Sequence, residues 1–307
     1  MMEGEEEIVK IGIVGGGAIG LLIAAYLSNE YEVTVYTRRS AQAQRLMNEG
    51  LRFVKRGETK RISLQAMTFA EANINDDLVF ITVKQYDIAT IINHRNLFDQ
   101  VKTVVFLQNG MGHVKLLSPF VDKNVIVGTV EHGALKHDER TVEHTGIGKI
   151  VLASLYGTFG QAVNLSAKSI SDFPFEFANN WENMLVKKLI VNAAINPLTA
   201  LLRIKNGDLL KVKPYYEMMK LLFSELKQVL PIEDEQKAWE HIVSVCQKTA
   251  ENYSSMLMDI SQNRKTEIDA ILGYVLEKGK ELGIALPLSQ FLFYAIKGLE
   301  EGGTKNE

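Results

Sequence analysis

The stretch Lys10-Ile-Gly-Ile-Val14 runs directly into Gly15-Gly16-Gly17-Ala18-Ile19-Gly20, then into an apolar run to about Ser28, and then into Glu32-Val-Thr-Val-Tyr36. A buried strand, a G-x-G-x-x-G turn, a helix and a second strand make a βαβ unit. That unit commits the first part of the chain to a parallel, doubly wound sheet. In such a turn the first glycine permits the tight bend, the second lets the backbone approach a pyrophosphate, and the third lets helix and strand close up. The helix N-terminus that follows attracts the anion. Gly15, Gly17, Ala18, Ile19 and Gly20 are therefore candidate dinucleotide contacts.

The second strand ends at Tyr36-Thr37-Arg38-Arg39-Ser40. A fold that takes NAD usually places an acid here for the ribose 2′-hydroxyl. No acid is present, and two arginines with two hydroxyls suit a 2′-phosphate instead. The expected cofactor is NADPH/NADP+, with Arg38 in its grip. Two further apolar runs, 78–83 ending in Lys84 and 104–107 ending in Gln108-Asn109-Gly110, place polar residues at the carboxyl ends of strands, where doubly wound folds bind ligands. Lys84 and Asn109 are candidate cofactor or substrate contacts, although Asn-Gly is also an ordinary turn signal. Between these landmarks the pattern predicts a helix after Ser40, a turn at Gly50 and strands near 51–54 and 62–65.

A chain of 307 residues exceeds the usual single core, so two domains are expected, 1–178 and 179–307. A net charge of −3 argues against a nucleic-acid partner. The one cysteine, Cys246, excludes an intramolecular disulfide and fits a reducing cytoplasm. The acidic start, Met-Met-Glu-Gly-Glu-Glu-Glu, does not read as a signal peptide, and no membrane span is expected. His132, His137 and His144 match no metal-ligand spacing, so no metal is expected. The sequence assigns no role to Glu131 or His132 and leaves the structure of 157–178 open.

After Phe173-Pro-Phe-Glu-Phe the pattern turns helical, with helices predicted to about 202 and over 214–229, 234–258, 266–283 and 287–299. The first contains Lys188-Leu-Ile-Val-Asn-Ala-Ala-Ile-Asn-Pro-Leu-Thr199, in which Lys188, Asn192 and Asn196 recur every fourth position. That spacing stacks an ammonium and two amides on one helix face. Buried polar groups without partners are penalised, so something polar should lie against the stripe. Pro197 deletes a backbone bond to Ala193 and is expected to bend the helix.

This run, with Asn206-Gly207 after it, Ser254-Ser255-Met256-Leu257, and Arg264-Lys-Thr-Glu-Ile-Asp269, resembles the ketopantoate reductase (2-dehydropantoate 2-reductase) family. The resemblance extends from Gly15 to about Pro287, apart from the acidic extension and a shortened segment between Gly148 and Trp181. It implies a Rossmann-like α/β domain followed by an all-α domain, and NADPH-dependent reduction of 2-dehydropantoate to pantoate for pantothenate synthesis. It also implies Lys188 as general acid, Glu267 as the carboxylate beside the reacting oxygen and in contact with cofactor, and Asn192, Asn196, Ser255 and Asn109 around the substrate. Lys84 and Asn109 would then lie beside the nicotinamide. The expected partner is a small 2-keto acid, neither nucleic acid nor membrane, and a homodimer stays open. A related NADP-linked 2-keto or 3-hydroxy acid dehydrogenase and a non-catalytic NADPH sensor remain alternatives.

One geometric requirement follows. Ser255 and Glu267 would lie about 18 Å apart on one continuous helix at 1.5 Å per residue, too far to share a small substrate. The sequence therefore predicts a break within 261–264, with a new helix capped by Thr266 and Asp269.

Overall fold

The computed structural model describes residues 9–167 and 170–303. The chain divides into two compact units, Met1–Gln108 with Lys115–Trp181, and Asn109–Val114 with Glu182–Glu307.

In the first unit, among the described residues, eight strands form one sheet. They are β1 (Lys10–Val14), β2 (Glu32–Thr37), β5 (Gln65–Thr68), β6 (Leu78–Ile81), β7 (Thr103–Phe106), β8 (Asn124–Val130), β11 (Ile150–Tyr156) and β12 (Phe175–Phe177). Their order is β12-β11-β8-β7-β6-β1-β2-β5. Neighbours from β5 to β8 are parallel, and the β8–β11 pair is antiparallel. The chain winds outward from β1 through β2 to β5, then returns to β6 on the other side of β1. This reversal opens a crevice at the carboxyl ends of β1 and β6, the expected ligand position for such a sheet. Val14 pairs with Tyr36 on one side and Ile81 on the other, so the glycine turn begins at the reversal.

Helix α1 (Ala18–Leu27) is buried from Gly20 to Leu27 on every side. A helix that is apolar all round must be covered on all faces. The large sheet covers one side, and a second sheet covers the other, built from β3 (Leu51–Lys55), β4 (Glu58–Ile62), β9 (Gly133–Lys136) and β10 (Thr141–Gly146) in the order β4-β3-β10-β9. This sheet corrects the expected strand at 62–65: β4 ends at Ile62, and Gln65 opens β5 in the large sheet. The other α-helices of the unit among the described residues are α2 (Ser40–Glu49), α3 (Ile88–Asn93) and the short α4 (Asn164–Ala167). Within the segment left open by the sequence, residues 168–169 lie outside the described residues.

The second unit contains α5 (Trp181–Leu202), α6 (Asp208–Lys211), α7 (Lys213–Val229), α8 (Glu235–Lys248), α9 (Ser255–Ser261), a π-helical turn (Asp269–Gly273), α10 (Tyr274–Leu282) and α11 (Pro287–Gly303). Every residue of α5 from Leu189 to Ala200 is buried. The helix is long and apolar enough to cross a membrane by length and composition, but 78% of its apolar window is buried within the protein, as in a core helix. It runs through Pro197, and Thr199 Oγ1 lies 2.9 Å from the carbonyl of Ile195 and 3.1 Å from that of Asn196.

Helix α8 stops at Lys248, ten residues before the predicted end at 258. The amides of Asn206 and Gly207 donate to the carbonyls of Asn252 and Ala250, and the Asn206 side chain donates to Thr249 Oγ1 at 2.9 Å. These bonds fix residues 249–252 as a loop. Ser254 then caps α9 by accepting from the amide of Leu257.

The break after Ser261 falls where the sequence places it, with Asn263 in the left-handed region at φ 51°. The expected capping box does not form. Thr266 Oγ1 accepts from the amide of Ile268 and donates to Glu300, while the Asp269 carboxylate pairs with Lys297. The new helix begins with the amides of Ala270 and Ile271 donating to the Glu267 carbonyl, and its first turn, Asp269–Gly273, is π-helical.

Candidate active site

The glycine turn has the shape that a dinucleotide requires. Gly15 adopts φ +122°, and a Cβ there would meet Thr82 Oγ1 at 2.7 Å. A Cβ on Gly20 would lie 1.9 Å from the Gly15 carbonyl oxygen, so only glycine lets α1 start this close to β1. A Cβ on Gly17 would meet nothing within 4 Å, which leaves its backbone open on the outer side. The Gly15 amide donates to Tyr36 O, and Thr82 Oγ1 lies 3.1 and 3.0 Å from the carbonyls of Val14 and Gly15. Together these bonds hold the turn at the sheet reversal with the N-terminus of α1, Ala18 and Ile19, at its mouth. The surroundings fit a pyrophosphate. Lys84 follows β6 at the same edge and is partly buried, and Arg38, at the end of β2, is exposed.

Two residues at this turn are not legible in the sequence pattern. Lys136, the last residue of β9, donates from Nζ to the Gly16 carbonyl at 2.7 Å. Glu139, in the turn between β9 and β10, pairs with Arg39 at 2.9 Å. Gln42 ties the two together, its Nε2 lying 2.8 Å from both Gly16 O and Glu139 O.

In the helical unit, Lys188, Asn192 and Asn196 share one face of α5. Lys188 is partly buried, and each asparagine is 9% exposed. Neither asparagine amide makes a hydrogen bond to the protein among the described residues. Thr199 Oγ1 lies 2.8 Å from Ser254 Oγ, which fixes the start of α9, and hence the exposed Ser255, against the C-terminal part of the stripe. Glu267 is 7% exposed, and its Oε2 accepts from Asn109 Nδ2 at 2.8 Å.

Asn109 reaches that carboxylate because the segment Asn109–Val114 belongs to the helical unit. Gly110 has φ +77°, and a Cβ there would lie 2.1 Å from the carbonyl of Ala270 in the π-turn. The Asn-Gly pair is thus both a tight turn and the means of bringing Asn109 to Glu267. The structure places Lys188, Asn192, Asn196, Ser255, Glu267 and Asn109 in the helical unit, and Gly15, Gly17, Ala18, Ile19, Gly20, Arg38 and Lys84 in the sheet unit.

The histidines serve elsewhere. His137 is exposed and pairs with Glu143. His132 and His144 meet in the core of the sheet unit, with Nδ1 of His132 3.1 Å from Nε2 of His144. The Gly148 amide donates to that same Nδ1, so His144 supplies the proton between the rings, and Tyr26 donates its hydroxyl to His144 Nδ1. Burial, with the neighbouring His144, brings the His132 pKa down to about 4. His113 is fully buried with neither ring nitrogen bonded, and burial holds it at about 4 as well. Cys246 is a core residue whose thiol burial pushes up to about 12. Among the described residues no His, Cys, Asp and Glu group has the makings of a metal site.

Comparison with known proteins agrees with this arrangement. Residues 11–157 match the family described as ketopantoate reductase PanE/ApbA, and residues 180–300 match its C-terminal part. The 2-dehydropantoate 2-reductase of Bacillus subtilis strain 168 is 43% identical over 299 residues, 97% of this chain and 99% of that protein. The protein of the same name from Listeria monocytogenes is 39% identical over 295 residues, 95% of this chain and 97% of that one. The crystal structure of the probable 2-dehydropantoate 2-reductase from Bacillus subtilis aligns with a TM-score of 0.86 at 43% identity, covering 95% of this chain and 100% of that one. A D-mandelate dehydrogenase bound to NADH and anilino(oxo)acetate reaches 0.86 at 24% identity over 96% of this chain and 100% of that one, and so shares the fold. With both family regions matched and full-length relatives above 30% identity, the chain belongs to the ketopantoate reductase family.

Proposed function

We propose that this protein reduces 2-dehydropantoate to pantoate with NADPH, a step of pantothenate biosynthesis in the cytoplasm. The observation that carries the reading is the α5 stripe: two nearly buried amides without protein partners among the described residues, stacked with a lysine on a helix whose residues from Leu189 to Ala200 are all buried. Polar groups left so are expected to be satisfied by a ligand. The relatives' name supplies the substrate.

The cofactor, when bound at the glycine turn, supplies the hydride that reaches the ketone carbon. The chain's own residues do the rest. Lys188 donates a proton to the oxygen as negative charge develops there, and its ammonium stabilises that charge beforehand. Asn192, Asn196 and Ser255 offer donors to the substrate carboxylate and hydroxyl. Glu267, held by Asn109, accepts a hydrogen bond beside the reacting oxygen and aims the ammonium. Arg38 takes the 2′-phosphate, and Lys84 and Asn109 line the nicotinamide end.

Following NADPH consumption by the purified chain with 2-dehydropantoate tests this reading. Turnover is expected with that substrate and a clear preference for it over aryl 2-keto acids. Turnover only with the aryl substrates would assign another keto-acid dehydrogenase of this fold. NADPH binding without turnover of any keto acid would make the protein a sensor.

A further inference from the structure

The turn between β9 and β10 reads His137-Asp138-Glu139-Arg140, and most of its charge is used locally. Asp138 accepts from the Arg140 amide and from Thr141 Oγ1, both at 2.8 Å, which closes the turn. Arg140 pairs with Glu49 at 2.7 Å and donates to the Gly50 carbonyl. His137 is taken by Glu143. Lys136 and Glu139 remain, and the buried Gln42 holds that side of the turn against Gly16.

Lys136 carries an ammonium with three protons. One goes to the Gly16 carbonyl, and the residue makes no ion pair among the described residues. Burial pushes its pKa down and the Arg39 cation adds to that, against smaller opposing effects from Glu139 and Asp138. A second cation is thus held, short of negative charge, between the glycine turn and the end of β2. In a doubly wound fold that is where the adenosine ribose presents its 2′ position, whereas the pyrophosphate takes the amides that open α1.

Glu139 changes the reading of cofactor choice. The acid absent from the end of β2 is supplied from elsewhere in the sequence, 2.9 Å from Arg39. A carboxylate there favours a free 2′-hydroxyl and repels a phosphate, so Arg39, already paired, is a weaker attractor than the sequence suggests. Lys136 restores the balance with an unpaired charge.

Building on the NADPH reading above, we propose that Lys136 is a cofactor-binding residue that selects the 2′-phosphate, donating to it while keeping its bond to the Gly16 carbonyl. The test compares full-length wild type with Lys136→Met and Lys136→Arg by calorimetric titration with 2′,5′-ADP and 5′-AMP, which differ only in that phosphate. Wild type is expected to prefer 2′,5′-ADP. Lys136→Met is expected to weaken 2′,5′-ADP by about tenfold or more, the usual cost of one charge-assisted bond, with 5′-AMP held within about twofold. Lys136→Arg is expected to recover most of the loss, and thermal unfolding confirms that each variant is folded.

Equal weakening of both nucleotides, or unchanged 2′,5′-ADP binding in Lys136→Met, overturns the assignment; in that case the NADPH reading stands on Arg38 alone. If wild type does not distinguish the two nucleotides, the NADPH reading falls and Lys136 with it.

Discussion

Asn109 Nδ2 lies 2.8 Å from Glu267 Oε2, joining residues 158 positions apart in one hydrogen bond at the mouth of the π-turn. The amide is the donor and the carboxylate the acceptor. The bond settles which oxygen of Glu267 Asn109 holds. The sequence reading gives Asn109 to the ligands, whereas the structure adds that it orients an acid.

Replacing Asn109 with alanine removes that tether and leaves a nearly buried carboxylate short of a donor. A lost hydrogen bond to a charged group costs about 1.5–3 kcal/mol, so kcat is expected to fall by roughly tenfold or more. Asn109→Asp should be worse, because it sets two carboxylates against each other. Steady-state kinetics on both variants checks this, and wild-type kcat in both would show that the bond is incidental.

Lys188→Ala is expected to spare NADPH affinity within a few-fold while lowering kcat by about 10²–10⁴-fold, the range of a positioned general acid. Cofactor titration beside turnover separates the two effects. Undiminished turnover would return Lys188 to the role of a helix lysine.

Asn192→Ala and Asn196→Ala each remove a donor for which the described residues offer no partner. The loss should therefore register on substrate rather than on folding: KM for 2-dehydropantoate rises, by an amount corresponding to about 1–3 kcal/mol per lost donor, with little change in the thermal midpoint. A lower midpoint with unchanged KM would mean that the amides serve the core.

Acid stability should follow the buried histidines. His113 and His132 both sit near 4 in the folded protein through burial, against about 6.5 in an unfolded chain. Between these values the unfolded chain binds more protons, so stability falls as pH drops from about 6.5 to 4, by up to about 3 kcal/mol per residue, and neither group contributes above about 7. Urea midpoints measured across that range should drop for wild type and fall less steeply for His113→Leu, which also removes two unbonded ring nitrogens. Identical slopes would exclude His113 as a source.

At Gly110 any Cβ meets the Ala270 carbonyl at 2.1 Å with φ at +77°. Gly110→Ala is therefore expected to cost about 2 kcal/mol or more and to depress kcat through Asn109. A thermal midpoint unchanged by the substitution would show that the π-turn yields easily.

What the sequence reveals and what it hides separate by range. The glycine turn, β6 with Lys84, and the four-residue spacing of Lys188, Asn192 and Asn196 are local patterns, and the periodicity of strand or helix displays them directly. The break after Ser261 is legible because a small substrate cannot span a continuous helix. The hidden features rest on pairs distant in the chain. Helix α8 ends early because Asn206 and Gly207 capture residues 249–252 by backbone bonds. The strand pairing of β3 with β10, and with it the approach of Lys136 to Gly16, has no signature within either segment. Thr266 and Asp269 match a capping box in spacing, but Glu300 and Lys297 from α11 claim them first.

The assignment of Asn109–Val114 to the helical unit makes that unit discontinuous in the sequence. A fragment cut to begin at residue 181 would carry α5 to α11 complete and still lack Asn109, which donates to Glu267, Gly110, which covers the Ala270 carbonyl, and the buried His113. Fragment expression, domain exchange between relatives and circular permutation therefore have to move this six-residue loop with the helices. On the ribosome, the Asn109–Glu267 bond cannot form until the chain beyond α9 has emerged, long after the strands on either side of the loop have been made.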